Sequence, residues 1–232
     1  CETSQPINSE VILQTGEVVE THNLTTYESL GTTRGISLSY NSLRADARPI
    51  VHFTFDNVNT STLGTDAALL RVVAKLSVTG DSFSYQVPGY AGGRNLKGGE
   101  NFWNIPAGGG RVDAALQVDL RTQASGLYDY SLDSGILGIG PGGNFFGSTS
   151  VSKGKVLVVN SVDSAFGSGW SLNGLQSIVT NQDGSILLID GDGHELLFDA
   201  PLQPGGTYVN PTGEFSTLER LGDGTYRRTL KD

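Results

Sequence analysis

Apolar residues recur at every second position through the middle of this chain. From Arg111 to Arg121, Val112, Ala114, Leu116, Val118 and Leu120 alternate with Arg111, Asp113, Gln117, Asp119 and Arg121. A period of two places five side chains on one face of a strand and predicts half-buried antiparallel β-structure. Leu70, Val72, Ala74, Leu76 and Val78 repeat the pattern, and Phe83, Tyr85 and Val87 follow it between Ser82, Ser84 and Gln86. A helix over residues 66–78 could start on Ala67 to Leu70, but it would turn Arg71 and Lys75 toward its apolar face, so the strand fits better. Turns and loops are expected near Thr79 to Asp81, Gly89 to Gly99, Pro106 to Gly110 and Gly138 to Gly147. Strands at these intervals over residues 45–125 predict a β-sandwich of immunoglobulin or fibronectin outline, with about seven strands. No stretch reads as a helix longer than two turns.

From Gly169 to Phe198 the alternation gives way to short strands separated by glycine turns. The first strand carries Trp170, Leu172, Leu175, Ile178 and Val179. Asn181 to Gly184 ends in Asp-Gly, a pair that reaches positive φ at low cost, and Ser185 to Ile189 follows as a second strand. Asp190 to Gly193 then turns the chain into Glu195 to Phe198. Downstream, Phe215 to Glu219, Gly222 to Gly224 and Thr225 to Leu230 repeat the arrangement, so hairpin follows hairpin.

The segments GWSLNGLQ, DGSILLIDGDGHELLF and FSTLERLGDGTYRRTLKD resemble the shell-entering segment of bacterial RHS or YD-repeat proteins, whose animal relatives are the teneurins. The opening stretch TGEVVETHNLTTYESLGTTRGISLSYNSL is similar to the pre-shell start of that family. The resemblance covers residues 9–44 and 126–232. It implies a β-rich plug placed before a hollow β-shell spun from hairpins, with that shell as its partner. Tandem YD repeats are absent here, which implies that this segment belongs to something longer. Three regions are then expected: pre-shell strands and a hairpin over 1–44, an inserted sandwich over 45–125, and hairpins entering the shell over 126–232.

The 232 residues are enough to bury a real core. Thirty-two glycines against 8 prolines suit many tight turns, without the three-residue glycine period that collagen requires. Fifteen basic against 24 acidic residues give a net charge of −9. That charge argues against nucleic acid, because binding phosphate requires a positive surface. The longest aliphatic runs, Val156 to Val159 and Ile186 to Ile189, fall far short of the ~20 residues that span a bilayer. Cys1 has no second cysteine to pair with. Its position suits a processing boundary, a lipidation site or an amino-terminal nucleophile, the first being the simplest.

Candidate chemistry is sparse. Gly138 to Gly143 spells G-x-G-x-x-G but contains Pro141 and opens no helix, so a dinucleotide site is not expected. Asp190-Gly-Asp-Gly193 suggests calcium, but the positions that follow fail the EF-hand pattern, and a looser site would have to use Asp183, Asp190 and Asp192. His22, His52 and His194 stand far apart, so no transition-metal site is expected. No G-x-S-x-G elbow exists. Asp129 and Asp133 share a strand face beside Tyr128 and Tyr130, as a glycosidase pair would, but such alternation more often marks a solvated face.

The sequence therefore predicts an all-β fold: an immunoglobulin/fibronectin-like sandwich combined with antiparallel hairpins leading into an RHS-type shell. The function expected is a non-enzymatic structural plug of a large secreted or cell-surface protein, with no cofactor unless calcium. Trp170, Leu172, Leu188, Leu197 and Phe198 are the expected hydrophobic hinge between sandwich and shell. The alternative is an extracellular adhesion or carbohydrate-binding module, whose partner would be a glycan or a cell-surface protein. Its site would lie on the glycine-flanked loops bearing Trp103, Phe145 and Phe146.

Overall fold

A computed structural model describes residues 8–13, 16–58, 70–79, 87–95, 101–106, 108–140 and 143–231. The chain is all-β, and its helices among the described residues are one turn at Ser42–Ala45 (α1) and a 3-10 turn at Gly89–Ala91. The strands are β1 Asn8–Ile12, β2 Glu17–Ser29, β3 Thr32–Asn41, β4 Ile50–Val58, β5 Leu70–Val78, β6 Arg94–Asn95, β7 Asn101–Asn104 and β8 Gly110–Gln117. Then follow β9 Gly126–Gly140, β10 Gly143–Val158, β11 Trp170–Leu172, β12 Ser177–Thr180, β13 Ile186–Ile189, β14 Glu195–Phe198, β15 Thr217–Arg220 and β16 Tyr226–Thr229. Two compact units form: residues 1–47, 123–127 and 158–232, and residues 48–122 and 128–157.

The second unit is the sandwich. Its larger sheet has the order β10-β9-β5-β7-β6 and its smaller sheet pairs β4 with β8. The alternation in β5 works as expected: Leu70, Val72, Ala74, Leu76 and Val78 are all buried. Register continues that face sideways, setting Ile136 and Leu132 of β9 opposite Val72 and Leu76, and Trp103 of β7 opposite Val72. In the smaller sheet Val51, Phe53 and Phe55 face Leu116, Ala114 and Val112 across the ladder. The sheets meet where the Phe53 ring stands edge-on to Trp103, 5.3 Å between centroids. Each such buried aliphatic side chain contributes about 1.5–3 kcal/mol over an exposed one.

Two expectations change here. The Gly138 to Gly147 stretch, expected as a loop, lies largely in strand, with β9 running through Gly140 and β10 starting at Gly143. The β9 ladder to β5 extends to Gly138 opposite Leu70, because pairing uses backbone groups that glycine supplies as well as any residue. Residues 128–157, expected among the hairpins, cluster with the sandwich unit, because β9 pairs with β5 and β10 with β9. The strand expected at Phe83 and Tyr85, and Cys1, lie outside the described residues.

The first unit holds the remaining sheets. One has the order β1-β2-β3-β11, and another β12-β13-β14. β15 and β16 form a hairpin. A bridge between Asp199 and Val209 and the bond from Tyr208 N to Leu218 O (2.9 Å) link β14 to β15 through the intervening segment. Ile186, Leu188, Phe198 and Leu218 make the buried core of this hairpin series, with Leu196, Tyr208 and Tyr226 packed against it. The Thr180 hydroxyl lies 3.2 Å from the Tyr226 hydroxyl, so the first and last strands of the series touch.

The expected single strand from Trp170 to Val179 is in fact two. Trp170 to Leu172 pairs back with Tyr40 to Leu38 of β3, whereas Ser177 to Thr180 pairs forward with β13. The break falls at Gly174, whose φ of 83° turns the chain while Leu175 N bonds to Leu172 O.

Candidate functional site

Three turns of the hairpin series are built alike. In Asn181 to Ser185, Asp190 to His194 and Leu221 to Thr225, the first N–H donates to the fifth carbonyl and the fourth N–H to the first carbonyl. The fourth residue is always glycine with positive φ, at 82°, 104° and 87°. The third is always aspartate, and Asp183, Asp192 and Asp223 each accept the backbone N–H two residues on. This is a three-residue hairpin loop closed by a glycine bulge, with an Asx bond fixing its exit. At Asp223 the Thr225 hydroxyl and N–H together hold the carboxyl below its ordinary pKa.

The four-stranded sheet meets this series through polar groups. Asn41 caps α1, accepting from Leu43 N at 2.9 Å and Arg44 N at 3.2 Å. The cap aims Arg44 inward. Its side chain is 3% exposed, lies 3.0 Å from the Glu195 carboxylate and donates to the Asp190 carbonyl at 3.4 Å. Ser171 Oγ donates to the Gly191 carbonyl at 2.9 Å. Gly191 lies so close to β11 that a Cβ there would stand 1.8 Å from the Leu172 carbonyl oxygen. Beside these groups is a cavity of about 190 Å³, lined by Arg44, Ser164, Phe166, Trp170 and Asp190 among others.

The five expected hinge residues therefore do not form one cluster. Trp170 and Leu172 sit on the edge strand of the four-stranded sheet, whereas Leu188 and Phe198 are core of the hairpin series. Leu197 points to the other face of β14, opposite Leu187. Sequence reasoning missed Arg44, whose signal was the Asn41-Ser42 cap ahead of a single helical turn.

The expected ligand loops change as well. Trp103 is 3% exposed in the sandwich core, and its indole N–H donates to the Ala91 carbonyl at 3.0 Å. Gly93 permits this, because a Cβ there would stand 2.4 Å from the indole nitrogen. Phe145 and Phe146 lie in β10, with side chains outside the described residues.

Another aromatic group stands open. Register puts Val11, Val18, Glu20, His22, Tyr27, Ile36, Leu38, Tyr40, Trp170 and Leu172 on one face of the four-stranded sheet. None of these is fully buried, and Tyr27 and Ile36 are exposed. The opposite face carries the polar set and is the packed one, with Ser39 and Asn41 buried. There Ser39 Oγ donates to Asn173 Oδ1 at 2.6 Å, and Asn173 Nδ2 to Ser37 Oγ at 2.7 Å. On the open face the His22 ring stands edge-on to Trp170 at 5.1 Å and Tyr40 is tilted against it at 5.3 Å.

Catalytic and metal geometry is sparse among the described residues. Asp129 and Asp133 are both exposed, and Asp129 pairs with Lys155 at 3.1 Å. Asp190 accepts from Gln176 at 2.7 Å, Asp183 from Ser185, and Asp192 lies 2.9 Å from His194 Nδ1. Asp183 and Asp192 serve their own turns, Asp190 is tied to Gln176 and Asp129 to Lys155, and no group of three His, Cys, Asp or Glu side chains could hold a metal ion among the described residues. No helix of the described residues is long and apolar enough to cross a membrane.

No protein-family profile matches the chain, and no curated protein matches it significantly. Among solved structures the chain is similar to AggA, the major subunit of aggregative adherence fimbriae type I from Escherichia coli. The identity is 12%, over 59% of this chain and 94% of that one, with a TM-score of 0.23. That superposition is too loose to transfer a function.

Proposed function

We propose that this chain is a non-enzymatic structural module that starts the hairpin-built wall of a larger, RHS-like protein, secreted or displayed at the cell surface, and carries a sandwich as its plug. The observation supporting this is the threefold use of one turn, at residues 181–185, 190–194 and 221–225, with the same hydrogen bonds each time. Repetition of one hairpin unit, each strand covering its neighbour's edge, is how a wall grows by addition. The last strand of the series, β16, has β15 on one side and no strand on the other among the described residues. An edge of that kind is a template for one more hairpin.

The test appends further hairpins carrying the same turn to the chain. The Tyr226 to Thr229 amides should then gain protection from hydrogen exchange, and the melting temperature should rise by several degrees, at roughly 2–4 °C per kcal/mol for a chain of this size. Unchanged exchange in β16 on extension would remove the proposal.

A further inference from the structure

We propose that the open face of the four-stranded sheet is a carbohydrate-binding platform, with Trp170, Tyr40 and His22 as its stacking surface and Glu20 as the acceptor at its rim. The inference stands apart from the wall-building role and rests on different residues. Glu20, Tyr40 and Trp170 lie in one row across β2, β3 and β11, and His22 is one step along the same face. The rings are not a flat stack: His22 stands at 89° and Tyr40 at 44° to Trp170, which makes an angled aromatic corner.

The polar edges of this corner decide what could cover it. Among the described residues the Trp170 indole N–H, the Tyr40 hydroxyl, the His22 ring nitrogens and the Glu20 carboxylate have no hydrogen-bond partner, although all four side chains are half-buried. A second sheet or an apolar helix laid on this face would bury those groups unpaired, at substantial cost. A pyranose meets both needs. Its axial C–H groups carry slight positive charge and sit well on the negative faces of aromatic rings, and its hydroxyls both donate and accept. Glu20 and the net charge of −9 favour a neutral sugar over a sulfated or sialylated one.

The experiment uses the whole chain against an immobilised panel of neutral β-glucan, chito-, manno- and galacto-oligosaccharides, with sulfated and sialylated ones alongside. Any binder is then titrated by tryptophan fluorescence. Trp103 is buried, so Trp170 is the responsive of the two tryptophans. At least one neutral oligosaccharide should bind, and Tyr40→Ala and His22→Ala should each weaken it about tenfold in protein that still melts cooperatively. Tyr40→Phe and Glu20→Gln, which keep size and fold, should weaken it less. A panel without a neutral binder would overturn the proposal. So would affinity unchanged in the His22 and Tyr40 variants, or a preference for the acidic sugars.

Discussion

The five-stranded sheet of the sandwich and the four-stranded sheet of the first unit are written in the same alternating code but use it in opposite senses. In β5, Leu70, Val72, Ala74, Leu76 and Val78 face inward to a second sheet, while Lys75 and Ser77 face out. In β3, Ile36, Leu38 and Tyr40 stay open or half-open, and the serines and Asn41 between them are the packed side. The difference lies in what each face meets. β5 meets apolar strands, so burial stabilises it by solvent exclusion. β3 meets the turn at Asn173, whose amide bonds Ser37 and Ser39, so its inward face must donate and accept hydrogen bonds. Alternation therefore specifies two faces and not which of them is inside.

Removing the polar anchor should have the largest effect. Arg44→Ala removes a buried side chain together with its charge-assisted bonds to the Glu195 carboxylate and the Asp190 carbonyl, and the cavity and lost bonds together should destabilise the first unit by about 3–5 kcal/mol in a urea titration. A cost under about 1 kcal/mol would mean that the inward polar face does not hold that unit together. Next come matched truncations. Leu76→Ala and Leu116→Ala should cost about 2–5 kcal/mol each, whereas Ile36→Ala and Tyr27→Ala on the open face should stay within roughly 1 kcal/mol. Equal costs in the sandwich core and on the open face would erase the contrast.

Gly191→Ala sharpens the same comparison. The new methyl group would collide with the Leu172 carbonyl, and the backbone must shift, so about 1–3 kcal/mol should be lost. Gly222→Ala, where a Cβ would meet nothing within 4 Å, is the control and should cost less. The smallest effect is a titration. The Ser216 hydroxyl and N–H, helped by Arg228, hold the Glu214 carboxyl below its ordinary pKa of about 4.3. A depressed folded pKa gives stability that is present above the unfolded value and lost as pH falls through the folded one. Acid should therefore weaken the β15–β16 hairpin, and Glu214→Gln should flatten that dependence, read from the pH profile of hydrogen exchange at Thr217 to Thr229.

Much of this was legible in residue order. The β5 and β8 faces and the turns at Asp183, Asp192 and Asp223 follow from alternation and from Asp-Gly, both local signals. The expected hinge scattered and Trp103 proved to be core, because a glycine-flanked aromatic reads the same whether it points outward or lies beneath a glycine such as Gly93. The Asn41-Ser42 cap marked the turn that carries Arg44 but not its role as an anchor, since its partners stand about 150 positions away at Asp190 and Glu195.

By itself, the sequence determined that this protein is all-β, that its strands have two chemically distinct faces, and that one turn recurs. Those properties depend on residues within a few positions of each other, where backbone preference and period act. Only the tertiary structure decided which face of each sheet is buried, that Arg44 is an anchor, and that His22, Tyr40 and Trp170 stand together. Burial and long-range pairing depend on what packs against a strand, and no strand carries that information alone.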